Sequence, residues 1–147
     1  MATHETDAQE TLSDEARLAL AYTPPAQRFA FEALLRLDYR LARLVAGTTE
    51  PMLGQMRLAW WREALGQPIT ARPKGDVVLD AMGAHWAGHE SALGTLIDGW
   101  EYLLNEPPLA SADARGFVQG RASGFAGFAR LSGASGDLSA VQDAATA

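Results

Sequence analysis

The stretch Glu50–Leu65, EPMLGQMRLAWWREAL, decides how this chain is read. Pro51 stands in the first turn of the helix it predicts, where a missing N–H costs nothing, and Gly66 follows just past the expected end. On a 3.6-residue period Met52, Met56, Ala59 and Trp60 share one face, while Leu58, Trp61 and Leu65 share another. Apolar groups on both sides predict a helix packed between neighbours. Arg57 and Arg62 fall at the borders of those faces, as solvated charges or as anion ligands, and the pattern leaves both readings open.

Outward from this helix the chain reads as all-α, with about six to seven helices. Residues 1–12 are short of apolar side chains and predict a disordered lead, so the folded domain is expected over 13–147. Ser13 is placed to cap a first helix that carries Asp14 and Glu15 in its first turn and ends near Tyr22. Thr23-Pro24-Pro25 breaks the chain, and Leu34, Leu37, Leu41, Leu44 and Val45 then recur at helical spacing until Gly47. Gly66 to Gly75 reads as a loop, with Asp76 capping a fourth helix that extends to about His89. A fifth runs from about Ser91 to Leu104 and is closed by Pro107-Pro108.

The sixth helix, Ala112 to about Leu131, holds Gly116, Gly120 and Gly124 at intervals of four. Each glycine costs a helix about 1 kcal/mol relative to alanine, so the ridge predicts a close backbone approach by a neighbour. Ser132 to Gly136 reads as a turn before a further helix from Asp137 or Leu138. No strand-like alternation of useful length is found.

A chain of 147 residues fits one domain, and 48% hydrophobic with 20% charged residues is ordinary globular composition. The formal net charge of -6 disfavours a nucleic-acid partner. Absence of cysteine excludes disulfides, thiolate chemistry and sulfur-ligated zinc. The polar, acidic N-terminus does not resemble a secretory signal, and no apolar run approaches the ~18 residues of a membrane span. The expectation is a cytoplasmic protein without a transmembrane segment, with a peripheral membrane contact left open.

Three blocks, in order, carry a family resemblance: Tyr22-Thr23-Pro24-Pro25 with the Arg28–Val45 segment, the helix with Trp61-Arg62-Glu63, and Leu96-Ile97-Asp98-Gly99-Trp100-Glu101. Over roughly residues 15–133 the chain resembles the squalene/phytoene synthase family. The resemblance implies the N-terminal part of an isoprenoid-synthase-like helical bundle. Family members continue well past this length, so the chain reads as apparently truncated at its C-terminus or as a naturally short relative. Such enzymes ionise allylic diphosphates using magnesium held on Asp-x-x-x-Asp pairs, whose members share a helix face.

The resemblance puts the first pair of aspartates on Ala42 and Ala46, within Ala42-Arg43-Leu44-Val45-Ala46, and methyl groups do not bind magnesium. The second motif would fall beyond Ala147. Loss of the pair, together with Leu53 to Arg62, is most similar to the non-catalytic branch that includes a mitochondrial complex I assembly factor.

Among other acids, Asp38 lies one turn before Ala42, and Asp98 with Glu101 sits at i,i+3. These are the candidate catalytic residues. Asp38 reads first as a solvent-facing or cross-helix-paired acid, and Asp98 with Glu101 as a helix surface. Arg57, Trp60, Trp61 and Arg62 are candidates for substrate binding, against interhelical ion pairs for the arginines and core packing for the tryptophans. His85 and His89 have metal-ligand spacing but no third ligand in view, which favours a solvated helix end.

The leading expectation is a synthase-like protein without magnesium chemistry, needing no cofactor and binding a protein or an isoprenoid or lipid-like ligand. The alternative is an active prenyl-diphosphate transferase using Mg2+, with Asp38, Asp98 or Glu101 recruited as ligands. A third reading is a helical interaction module that binds no isoprenoid.

Overall fold

In the computed structural model residues 11–135 are described, and they form six α-helices and three short 3-10 turns, with no strand among the described residues. Helix α1, Asp14–Tyr22, starts on Ser13, whose Oγ accepts from the Ala16 N–H at 3.2 Å. Leu12 is already buried, and residues 1–10, on which most of the expected lead falls, lie outside the described residues.

Helix α2, Arg28–Ala46, is the centre of the fold because it touches each of the other five helices. Its face of Leu34, Leu37 and Leu41 is fully buried, as the helical spacing of the leucines predicts. Helix α3, Pro51–Gly66, buries Leu58, Trp61 and Leu65 against this core. The opposite face departs from expectation: Met52 is 71% and Met56 64% exposed, and Trp60 is also exposed. The helix is packed on one side only, since no neighbour among the described residues covers the methionine side.

Helix α4, Val77–His85, begins on Asp76, whose carboxylate accepts from the Val78 and Leu79 N–H groups and also from Arg40 Nη1 at 2.6–2.7 Å. It stops at His85 rather than His89. Trp86 leaves the helical region and Gly88 takes φ 86°, a left-handed turn that favours glycine. The turn drives Trp86 fully into the core, where its Nε1 donates to the Ala30 carbonyl at 2.9 Å.

Helix α5, Glu90–Glu101, continues into a 3-10 turn over Tyr102–Leu104, and helix α6 spans Ser111–Ser135. The turn expected from Ser132 is absent as far as Ser135: with Leu131 anchored in the core, the Gly/Ser segment stays helical. The further helix expected from Asp137 or Leu138 lies outside the described residues.

The glycine ridge performs as its spacing predicts. A Cβ on Gly120 would lie 2.5 Å from Gly99 Cα and 2.7 Å from the Thr95 carbonyl oxygen, so α5 and α6 meet backbone to backbone. Gly116 receives the Tyr102 ring and Gly127 the Ala92 methyl, extending the contact along the whole of α5.

The loop after α3 is held from inside by Arg72, which is buried. Its Nε donates to the Gln67 carbonyl, and its Nη2 donates to the Leu65 carbonyl and to Glu90 Oε1, each at 3.0 Å. One guanidinium thus ties the end of α3 to the start of α5. Burial pushes the Glu90 carboxyl up, but its own N–H, the Arg72 guanidinium and the Gly88 N–H outweigh that and hold it below the ordinary 4.5. The unfolded chain therefore takes up the proton first. Stability from the pair is fully present above pH 4.5 and is lost as pH falls through the lowered folded value. Between neutral and strongly acidic pH the parent should lose on the order of 1 kcal/mol more than Glu90→Gln, measured by urea unfolding. Equal losses would remove this account of the loop.

Candidate functional site

An open groove of about 810 Å³ lies between α3 and the end of α5. Met52, Met56 and Ala59 form one wall, because the period that buries Leu58 and Trp61 turns these residues outward. Asp98, Glu101 and Tyr102 form the other. Arg62 bridges the two walls, its Nε donating to Asp98 Oδ1 at 2.7 Å and its Nη2 to Glu101 Oε2 at 2.8 Å. Burial works against the guanidinium charge, but the bonds and charges of the two carboxylates more than offset it and hold the group above its ordinary value. The result is an apolar wall facing a rim on which one cation is shared by two acids.

Asp38 belongs to a different cluster. It is buried, and its Oδ1 accepts from Trp100 Nε1 at 2.8 Å while Arg121 donates to Oδ2 from Nε at 3.0 Å and from Nη2 at 2.7 Å. The hydrogen bond to Asp38 raises the Arg121 guanidinium above its ordinary range against the opposing effect of burial. This is the cross-helix-paired acid of the sequence reading; the solvent-facing option is excluded. Beside it is a cavity of about 240 Å³ lined in part by Leu12, Tyr39, Ala42 and Arg121.

No protein-family model, curated protein or solved structure matches the chain. The site is therefore read from its own chemistry. Of the positions that the resemblance assigns to aspartates, Ala42 lines the smaller cavity and Ala46 is exposed. That cavity offers a single carboxylate, already accepting from two side chains, a donor set that does not fit a bridging divalent cation. In the groove a cation would have to displace Arg62 from both acids. No group of three or more His, Asp or Glu side chains with metal-binding geometry is found among the described residues.

Of the sequence candidates, Asp98, Glu101 and Arg62 come together, as an ion-paired unit. Arg57 is exposed and has no partner among the described residues. Trp61 is core, with Arg40 stacked over its ring at 5.6 Å, whereas Trp60 stands outside it, edge-on at 5.1 Å. His85 stacks on Phe29 with ring centroids 5.5 Å apart, and His89 sits beyond the helix break, so the two do not share a helical face.

Sequence reasoning missed Arg121, Arg72 and Trp86. The Asp38–Arg121 pair spans 83 positions, a separation on which local periodicity is silent. Gly88, next to a run of small and polar residues, was the available signal that the fourth helix ends early and that Trp86 turns inward.

Proposed function

We infer that this chain is a non-catalytic relative of the squalene/phytoene synthases, an isoprenoid-synthase-like helical scaffold that acts by binding rather than by magnesium-dependent prenyl transfer. One observation carries the reading: each acid nominated for metal binding already engages an arginine, Asp38 with Arg121 and both Asp98 and Glu101 with Arg62. The exposed methionines of α3 supply the complementary half of the argument. Flexible, polarizable Met side chains adapt to varied apolar surfaces, and here they stand beside a groove of ligand size. A protein segment or a lipid-like chain is the class of occupant that such a wall accepts.

Farnesyl or geranylgeranyl diphosphate incubated with the purified chain and Mg2+ should release no diphosphate above the buffer rate. Native mass spectrometry with added isoprenoid should show an adduct that weakens by roughly tenfold in Met52→Glu/Met56→Glu, since charged groups would replace the apolar wall. Magnesium-dependent diphosphate release would establish the active-transferase alternative. No adduct under any condition would leave a helical interaction module without an isoprenoid.

A further inference from the structure

The apolar wall of the groove is where this chain exposes its sulfur. The sequence has four methionines, and Met52, Met56 and Met82 fall among the described residues. Met52 and Met56 are 71% and 64% exposed and both line the groove, four residues apart on one face of α3. Met82 is 0% exposed, in the core. There is no cysteine, so no thiol of the chain competes for an oxidant. Leucine at either groove position would offer a similar apolar area without a thioether, so apolarity alone does not account for two sulfurs on this wall.

We propose that Met52 and Met56 are a reversible oxidation site that regulates the groove: a peroxide converts them to sulfoxides, which weakens apolar occupants, and reduction reopens the site. The proposal rests on the reading of the groove as a binding site. In each oxidation a sulfur lone pair attacks one peroxide oxygen, and the S–O bond forms as the O–O bond breaks. With hydrogen peroxide the departing oxygen collects the proton from the transferred one and leaves as water. Sulfur is oxidised by two electrons and the peroxide is reduced by two. A polar S–O group then stands where an apolar occupant would have to strip it of water.

The placement of the three sulfurs lets this chemistry change the wall and spare the fold. Neither Met52 nor Met56 belongs to the buried core, so their sulfoxides remain in water in the empty groove. Met82 lies among core side chains, where its sulfur meets peroxide only when the fold opens. The Arg62 pairing with Asp98 and Glu101 on the opposite rim contains no sulfur and persists in both states.

Peptide mass mapping of the full chain during hydrogen peroxide treatment tests the site, and Nile red, an uncharged apolar dye, tests the consequence. Met52 and Met56 should be oxidised at least roughly tenfold faster than Met82. The oxidised chain should bind the dye roughly tenfold more weakly, with unchanged far-UV circular dichroism. Methionine sulfoxide reductases for both sulfoxide epimers, supplied with dithiothreitol, should restore binding; without cysteine in the chain, the thiol acts only through the enzymes. In Met52→Leu/Met56→Leu, peroxide should not alter whatever affinity that variant has, which separates these sulfurs from the exposed Trp60 indole. Oxidation of Met82 at a comparable rate, dye affinity that survives oxidation of the pair, a loss that reduction does not reverse, or an equal loss in the leucine variant would each overturn the switch and leave the groove standing as a binding site. Absence of dye binding to the unoxidised chain would instead overturn the groove reading, and the switch with it.

Discussion

Gly120→Ala is expected to destabilise the fold by about 2–4 kcal/mol, the largest effect of any single methyl addition considered for this chain. The added Cβ would meet Gly99 Cα at 2.5 Å, Thr95 O at 2.7 Å and Gly99 N at 2.8 Å. All three are backbone atoms, so no side chain can rotate aside and α5 must move as a body. That movement disturbs Leu93, Leu96 and Ile97, which are fully buried. The intrinsic helix preference of alanine works the other way, by about 1 kcal/mol, and is smaller than the steric term.

Gly94→Ala supplies the contrast. It lies on the same helix α5, but a Cβ there meets nothing within 4 Å. This variant should gain up to about 1 kcal/mol from helix propensity alone. Urea unfolding of the two variants decides the matter: if Gly120→Ala proves as stable as Gly94→Ala, the backbone contact between α5 and α6 is not what the glycine ridge is for.

That ridge is legible in the sequence, because glycine inside a helix is costly and regular spacing demands a reason. The caps at Ser13 and Asp76 were legible on similar grounds, being side chains whose oxygens suit free N–H groups. The face of α3 shows where such reading stops. Periodicity assigned Met52, Met56 and Trp60 to a common side correctly, but period alone identifies neighbours on a helix and not the element that meets them. The candidate site was legible in the same partial way. Asp98 and Glu101 were singled out together by their spacing, while Arg62 as their shared partner required the crossing of α3 and α5. The family resemblance, carried by blocks of sequence, likewise describes local segments and leaves the long-range pairing of Asp38 untouched.

Asp38 yields the second large expectation, and its variants separate a structural tie from a metal ligand. Removing Arg121 should cost more than neutralising Asp38, although both break the same pair. Asp38 is 6% exposed, so Arg121→Ala strands a buried carboxylate, at roughly 3 kcal/mol. The Arg121 side chain is 46% exposed, and in Asp38→Asn water can solvate the freed guanidinium. The asparagine also keeps an oxygen for Trp100 Nε1, so that variant should lose only about 1 kcal/mol. Asp38→Ala removes this acceptor too and should fall between them, near 2 kcal/mol. The double variant Asp38→Asn/Arg121→Ala should be more stable than Arg121→Ala alone, because the stranded charge is gone. Thermal unfolding of the same set with and without Mg2+ addresses function directly. A structural tie predicts no magnesium-dependent shift in the parent. A magnesium-dependent rise in Tm that disappears in Asp38→Asn would instead make Asp38 a metal ligand, and would reopen prenyl transfer as the chemistry of this chain.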